Sequence, residues 1–245
     1  MDPEIYKQMR EVEDSHWWFV ARRSIIETVI ARLPLPPVAR ILDVGSGTGG
    51  NLAMLSRFGS VIGIEADDMA LSLCKSRSSV IVLKGNLPHD LPDFTERFDL
   101  IILLDVLEHI DDDLATLKCL ERLLYPNGVL IVTVPAFPFL WSNHDVQHHH
   151  KRRYTCSTLK NLFKRASLNV RHMTYYNTLL FPIIAVVRLF RRFFPSDVTG
   201  QDIQVPAPFV NRILGALFKS EKRLVTHLRL PFGTSILAIA IKKVE

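Results

Sequence analysis

From residue 40 to 175, short apolar runs alternate with stretches of helical period. The runs Arg40–Val44, Val61–Glu65, Val80–Leu83, Leu100–Leu104, Val129–Val134 and Val170–Tyr175 predict strands covered on both faces, and Ser235–Lys242 predicts a seventh. Between them the pattern predicts a helix over Asn51–Phe58, stopped by Gly59. A second spans Asp111–Leu124, where leading acids suit a helix N-terminus and Tyr125-Pro126-Asn127-Gly128 marks a turn. A third, Ser157–Ala166, opens at an N-cap serine. Ahead of the strands, Asp14–Leu33 places Trp18, Ile25, Ile26, Val29 and Ile30 near helical spacing, until Pro34, Pro36 and Pro37 break it. Strand and helix repeated in this way predict an α/β protein with a parallel sheet. Its ligand belongs beyond the carboxyl ends of the strands, beside the first one.

Composition changes this picture little. A chain of 245 residues with 48% hydrophobic and 22% charged residues suits one α/β domain with an insertion. Three scattered cysteines, Cys74, Cys119 and Cys156, with no CxxC pair, exclude a disulfide framework or a thiolate zinc site and suit a reducing compartment. Met1–Arg10 is polar and lacks a signal-peptide core, so a cytoplasmic location is expected.

Charge adds one feature. The segment 176–232 holds eight Lys/Arg (Arg188, Arg191, Arg192, Arg212, Lys219, Lys222, Arg223, Arg229) against Asp197, Asp202 and Glu221, which is the whole net charge of +5. Its apolar run Leu179–Val187 is too short to cross a bilayer. Basic residues beside an apolar run suit a lid that also touches the anionic inner face of a membrane; the alternatives are a solvated helical face or a dimer surface.

The sharpest chemical signal is Asp43-Val44-Gly45-Ser46-Gly47-Thr48-Gly49-Gly50, a strand running into a tight glycine turn. Such a turn lets backbone approach a ligand where a Cβ would clash. Gly45, Gly47 and Gly50 also satisfy the dinucleotide fingerprint, and Glu65 stands where a ribose-binding carboxylate belongs in either case. Asp43, two residues before the first glycine, favours a ligand with an ammonium group over a pyrophosphate. An NAD(P)-dependent oxidoreductase is therefore the weaker reading.

Asp43–Gly49 resembles the first motif of class I S-adenosylmethionine (SAM) dependent methyltransferases, and the likeness covers about residues 38–175 plus the last strand. It implies a Rossmann-like seven-stranded sheet, mostly parallel with an antiparallel last strand. Helices lie on both faces, with a helical insertion before that strand. The expected division is an N-terminal helical cap (1–37), the SAM-binding core (38–176), a basic amphipathic insertion or lid (177–233) and the last strand (234–245). Asp43, Gly45, Ser46, Gly47, Thr48 and Gly49 would then cradle SAM and its product S-adenosylhomocysteine. Glu65 would bond the ribose, Ala66 and Met69 would flank the adenine, and Asn86-Leu87 would meet its edge. Asn86 stands where the family usually has Asp.

The segment Phe98–Ile110 resembles the family's strand-end motif lining the methyl-donor pocket, which brings in Asp105, Val106 and His109. His109 suits a general base, or with Glu108 a helix cap or a SAM-orienting group. No Asn/Asp-Pro-Pro-aromatic tetrapeptide follows this strand, which argues against the usual amino-methylating DNA enzymes, so no nucleic acid partner is expected.

The loop Trp141–Tyr154 is the most individual stretch, with four histidines, Asp145, two arginines and Tyr154 between 144 and 154. In one reading His144 or His150 removes an acceptor proton and Arg152 or Arg153 holds an anionic group, beside Tyr154. In another, His144, Asp145 and His148 hold a metal at helical spacing, although no metal is expected; in a third the loop is only structural. His16-Trp17-Trp18-Phe19 with Arg22-Arg23, His150-Lys151-Arg152-Arg153-Tyr154 and Pro231-Phe232-Gly233 are similar to a bacterial subgroup of these enzymes. The likeness implies a tailoring enzyme for small-molecule, glycan or lipid-linked acceptors, methylating oxygen or carbon more readily than nitrogen. A SAM-binding protein without transfer is the alternative. Trp18 would close over the donor as an aromatic face, or simply pack in the core.

Overall fold

The apolar runs pair edge to edge into one seven-stranded sheet of order β3-β2-β1-β4-β5-β7-β6. In this computed structural model, residues 3–193 and 204–243 are described. β1 (Ala39–Val44), β2 (Gly59–Glu65), β3 (Ile81–Lys84), β4 (Phe98–Leu104) and β5 (Leu124–Pro135) run parallel, and β7 (Ser235–Lys242) slots antiparallel between β5 and β6 (Leu168–Tyr176). Alternate residues of one strand enter opposite cores. Leu42 and Ile101 pack on one face with Leu117 and Leu120 of α5 (Asp113–Leu123) and with Leu159 and Phe163 of α7 (Cys156–Arg165). Ile41, Leu100 and Ile102 pack on the other with Ile25, Ile26, Val29 and Ile30 of α2 (Trp17–Ile30). Burial on both faces is why these strands read as continuous apolar runs.

Three sequence expectations change. The helix expected over Asp14–Leu33 is α2, which starts only at Trp17 because the His16 backbone is extended and its ring accepts from the Trp18 N–H at 3.2 Å, and a further helix that was not expected, α1 (Pro3–Val12), precedes it. The helix expected over Asn51–Phe58 shrinks to α3 (Leu52–Leu55). Tyr125–Gly128 lies inside the bounds of β5, where pairing with β4 jumps from Phe98↔Leu124 to Leu100↔Val129 and Asn127 adopts φ 64°. The turn signal is thus spent as an irregularity within the strand.

Between β6 and β7 the chain forms α8 (Phe181–Phe193), α9 (Pro208–Ser220) and α10 (Lys222–His227). The Arg191 and Arg192 side chains, Asp197 and Asp202 lie outside the described residues. α9 packs against α2: Phe218 is fully buried beside Trp17, ring centroids 6.0 Å apart. Asn211 accepts from the Trp17 N–H and donates to the Ser15 carbonyl, both at 2.8 Å. Glu221, fully buried, accepts from the Leu179 N–H at 2.8 Å and so ties the α9–α10 corner to the chain entering α8. Among the described residues no helix is long and apolar enough to cross a membrane.

Because Phe218 seats α9 on the same core as α2, Phe218→Ala should cost about 3–5 kcal/mol of unfolding free energy, read by urea titration. A loss below about 1 kcal/mol would show that α9 does not belong to the packed core.

Candidate active site

Parallel strands bring their carboxyl ends to one edge, so the loops after β1, β2, β4 and β5 meet there around a cavity of about 970 Å³. The glycine turn is pinned to its neighbour: Gly45 and Ser46 donate their N–H groups to the Ile64 carbonyl, each at 2.9 Å. A Cβ on Gly45 would overlap the Val106 side chain, which ties this turn to the end of β4. Gly47 has φ 55° and no heavy atom within 4 Å of where a Cβ would stand, so bare backbone faces the cavity. Glu65, buried at 6% exposure, accepts from Gly47 N at 2.7 Å and from Ala66 N and Asp67 N at 2.9 Å. Burial pushes its carboxyl up against these bonds.

Thr48, Ala66, Asn86, Leu87, Asp105, Val106 and Trp18 also line the cavity. Gly49 instead packs against Cys74 and Leu52, and Met69 lies outside the lining, 37% exposed. Asp43 sits beneath the turn, 2% exposed; its Oδ2 has no hydrogen-bond partner, and burial pushes its carboxyl up to about 6.

The N-terminal helices close one side. Glu13 accepts from Thr48 Oγ1 at 2.6 Å and pairs with Arg77, while Arg23 donates to the carbonyls of Glu13 and Gly50. Arg22 pairs with Asp105, which holds φ 54°, and its guanidinium lies 4.6 Å above the Trp18 ring. Tyr6, Met9 and Glu13 all line the cavity, and sequence reading missed them. Their spacing is that of one helical face, the signal that could have found them. Burial, with the Glu65 and Asp67 carboxylates nearby, raises the Tyr6 phenol, so it stays neutral.

Opposite lies a histidine cluster. The loop after β5 folds through α6 (Asn143–Gln147), and the fully buried Asp145 is its anchor. Asp145 accepts from Arg153 Nε at 2.7 Å and Nη2 at 2.9 Å, from the Ser142 N–H at 2.8 Å, and lies 2.8 Å from His150 Nδ1. Burial alone would raise this carboxyl, but the His150 and Arg153 bonds outweigh it and hold it well below the usual range. An ionised carboxylate only accepts, so His150 Nδ1 carries a proton, and in the neutral ring Nε2 is the lone-pair nitrogen. The His109 and His150 rings meet edge to face with centroids 4.7 Å apart, and His144 and His148 stand 4.1 Å apart. Burial and the neighbouring His150 and His148 press His109 down to about 3. Burial, His148 and Arg188 hold His144 low as well.

The remaining loop residues fall elsewhere. Asp145 has both oxygens taken, so the His144–Asp145–His148 metal arrangement is not formed. Arg153 directs its Nε–Nη2 fork at Asp145 and a third N–H at the Ala136 carbonyl, so that fork already holds a carboxylate of the chain itself. Arg152 pairs with Asp113 at 2.9 Å and bonds the Asp111 carbonyl. The Tyr154 hydroxyl reaches Asp113 at 3.0 Å. Arg152 and Tyr154 therefore hold the start of α5 and stay out of the cavity lining.

The profile of the methyltransferase-domain family matches residues 19–173. The mitochondrial ubiquinone biosynthesis O-methyltransferase of Bos taurus is 29% identical over 53% of this chain and 38% of its own. The trans-aconitate 2-methyltransferase of Deinococcus radiodurans is 29% identical over 60% of this chain and 52% of its own. The chain thus spans about half or less of these relatives. Among solved structures, a chain of the complex of the Haloferax volcanii Trm112 methyltransferase activator with a methyltransferase superposes with TM-score 0.61 at 17% identity, covering 98% of this chain and 95% of that one. The Haemonchus contortus phosphoethanolamine N-methyltransferase 2, solved with SAM, gives 0.58 at 17% identity over 90% of this chain and 52% of its own. The chain belongs to the class I SAM-dependent methyltransferases. The family removes the dinucleotide oxidoreductase as an alternative.

The buried Asp43 generates a pH-dependent prediction. Its native pKa lies above its ordinary 3.8, so the folded state carries a penalty absent below about pH 4, growing between 4 and 6, and full above 6. Between pH 4 and 7.5 the unfolding free energy of Asp43→Asn relative to wild type should therefore move in the variant's favour by about 2–3 kcal/mol. A pH-independent difference in urea titrations would show that Asp43 stays ionised at no cost.

Proposed function

We propose that this chain methylates a hydroxyl oxygen of an apolar, small or lipid-linked acceptor, with SAM as donor and His150 as the base. The observation that carries this reading is the Asp145–His150 pair, which leaves Nε2 as a lone-pair acceptor inside the cavity. An oxygen acceptor must lose a proton, and a histidine oriented by a carboxylate is suited to take it. The names of the bovine enzyme and of a Mesorhizobium japonicum relative, 34% identical over 38% of this chain and 39% of its own, support an O-methylation.

The residues present fit the donor. Bare backbone at Gly47 and the Glu65 carboxylate face one part of the cavity, with Asn86 and Leu87 beside them. Glu65 is assigned to the ribose hydroxyls, Ala66, Asn86 and Leu87 to the adenine, and Trp18 to an aromatic lid. When bound, SAM supplies an activated methyl group that passes to the acceptor oxygen as the C–S bond breaks and its electron pair stays on sulfur. His150 Nε2 takes the hydroxyl proton. The strap of α1 and α2 excludes water, and Val106, packed on Gly45, keeps the two halves of the site together.

The cavity wall opposite the glycine turn supports an apolar acceptor. α8 lines it with Ile183, Ile184 and Val187, and Arg188 stands beside the histidines. Outside, Val186 on α8 and Phe209, Val210 and Ile213 on α9 are exposed next to basic residues, which supports contact with an anionic membrane surface.

His150→Gln should cut turnover by about 10²–10⁴-fold on a hydroxylated acceptor while calorimetry shows SAM binding unchanged. Equal losses of SAM affinity and turnover would assign the loop to the donor instead. For the membrane reading, the protein should sediment with vesicles containing anionic lipid at low salt and be released by salt or by Arg191→Glu with Arg192→Glu. Indifference to such vesicles at low salt would leave α8 and α9 as a lid alone.

A further inference from the structure

The histidine cluster contains a carboxylate that the base reading does not use. Glu108 lines the cavity, is 1% exposed, and neither of its carboxyl oxygens has a hydrogen-bond partner. A fully buried carboxylate with nothing bonded to either oxygen is rare, because its desolvation is uncompensated. Two imidazoles adjoin it. His150 Nε2 stands 3.9 Å from Glu108 Oε1, too far for a hydrogen bond. His109 follows it in sequence, with its ring edge-on to His150. One ligand atom from each of Glu108, His109 and His150 lies within 4.8 Å of the other two.

From this geometry we infer that Glu108, His109 and His150 form a binding site for a divalent cation of the zinc class, whose open coordination position faces the cavity and takes the acceptor's oxygen. Two imidazoles and one carboxylate are a donor set that such cations accept as three ligands plus one exchangeable position. Ligands in a tetrahedral site stand roughly 3.4 Å apart at bond lengths near 2.1 Å, so closure asks for about 1 Å of side-chain movement. The surroundings are those of a metal-bound histidine. Asp145 holds the Nδ1–H of His150 and aims Nε2 inward, and Arg153 and the Ser142 N–H hold Asp145 in turn. Glu108 and His109 lie in the turn after β4 and His150 in the loop after β5, and the Lys151 N–H donates to the Glu108 carbonyl at 2.7 Å, which ties the two segments together. This arrangement differs from the His144–Asp145–His148 set that sequence spacing suggests, in which Asp145 would be a ligand; here it is the group that orients one.

The inference rests on the O-methylation reading for the acceptor oxygen alone and revises it at one point. With Nε2 given to the cation, His150 would no longer take the proton, and the cation would instead lower the pKa of the bound hydroxyl so that it loses its proton to solvent. Cation binding needs neither acceptor nor turnover. Protein stripped with chelator and then titrated with Zn²⁺ in a calorimeter should take up one equivalent per chain. Co²⁺ should give the visible absorption of a four- or five-coordinate site. Glu108→Gln should lower Zn²⁺ affinity at least 100-fold and His109→Gln similarly, while both variants keep SAM affinity as the check that they are folded. Asp145→Asn should weaken Zn²⁺ by about 10–100-fold. Wild-type uptake no stronger than that of Glu108→Gln and His109→Gln would overturn the site, and His150 would then act as a free base. A protein that binds Zn²⁺ through these residues yet transfers no methyl group to hydroxylated acceptors would keep the cation site and overturn the O-methylation reading.

Discussion

The site depends on one buried ion pair. Asp145 and Arg153 lie opposite each other in a two-point contact with almost no exposure, and the carboxylate accepts three further bonds, from the Ser142 N–H and hydroxyl and from His150 Nδ1. Taking both charges out of water costs several kcal/mol per ion, and their attraction roughly offsets it, so the pair contributes little net stability. Its contribution is orientation. It draws the loop after β5 back over the sheet edge, sets the tautomer of His150, and fixes which imidazole nitrogen the cavity sees. An apolar pair of similar volume would hold the loop equally firmly but leave that ring free to rotate.

The opposite wall is built from charge as well. α1 reaches the glycine turn through Glu13, and Arg23 and Arg77 converge on the same spot. The donor-side loops are thereby tied to the start of the chain, and the acceptor side to the segment after β5. Val106, between Gly45 and the Glu108–His109 step, is where the two halves touch. Small shifts of the β4 end would therefore be felt on both sides.

Much of the fold is legible in the sequence because the sheet is covered on both faces. Leu42 and Ile41 both had to be apolar, and so the strand stands out as a run. The glycine turn is legible for a similar reason, since backbone must approach a ligand there. α1 was harder to read because its few apolar residues, Ile5, Met9 and Val12, are interleaved with charge, although they do stand at helical spacing. The histidine loop was legible as chemistry and illegible as geometry: composition shows four imidazoles, but not that Arg153 turns inward to Asp145 while Arg152 turns away to Asp113. Glu108 shows the same limit from the other side. Next to His109 it reads as an ordinary cap, and only burial without a partner marks it as something else.

Asn211 bonds to both the Trp17 N–H and the Ser15 carbonyl, across a separation of about 195 residues. The roof of the cavity is thus a joint made from two remote stretches of polypeptide. During synthesis the aromatic start of α2 has no seat until α9 has left the ribosome, so the chain must keep Trp17 and Trp18 from wrong associations until nearly all of it has been made. The same joint constrains how such a roof can diversify. A new acceptor shape cannot be acquired by exchanging the segment before the last strand alone, because a graft that lacks the Asn211 contact unseats the N-terminal strap and, with it, the wall behind the glycine turn.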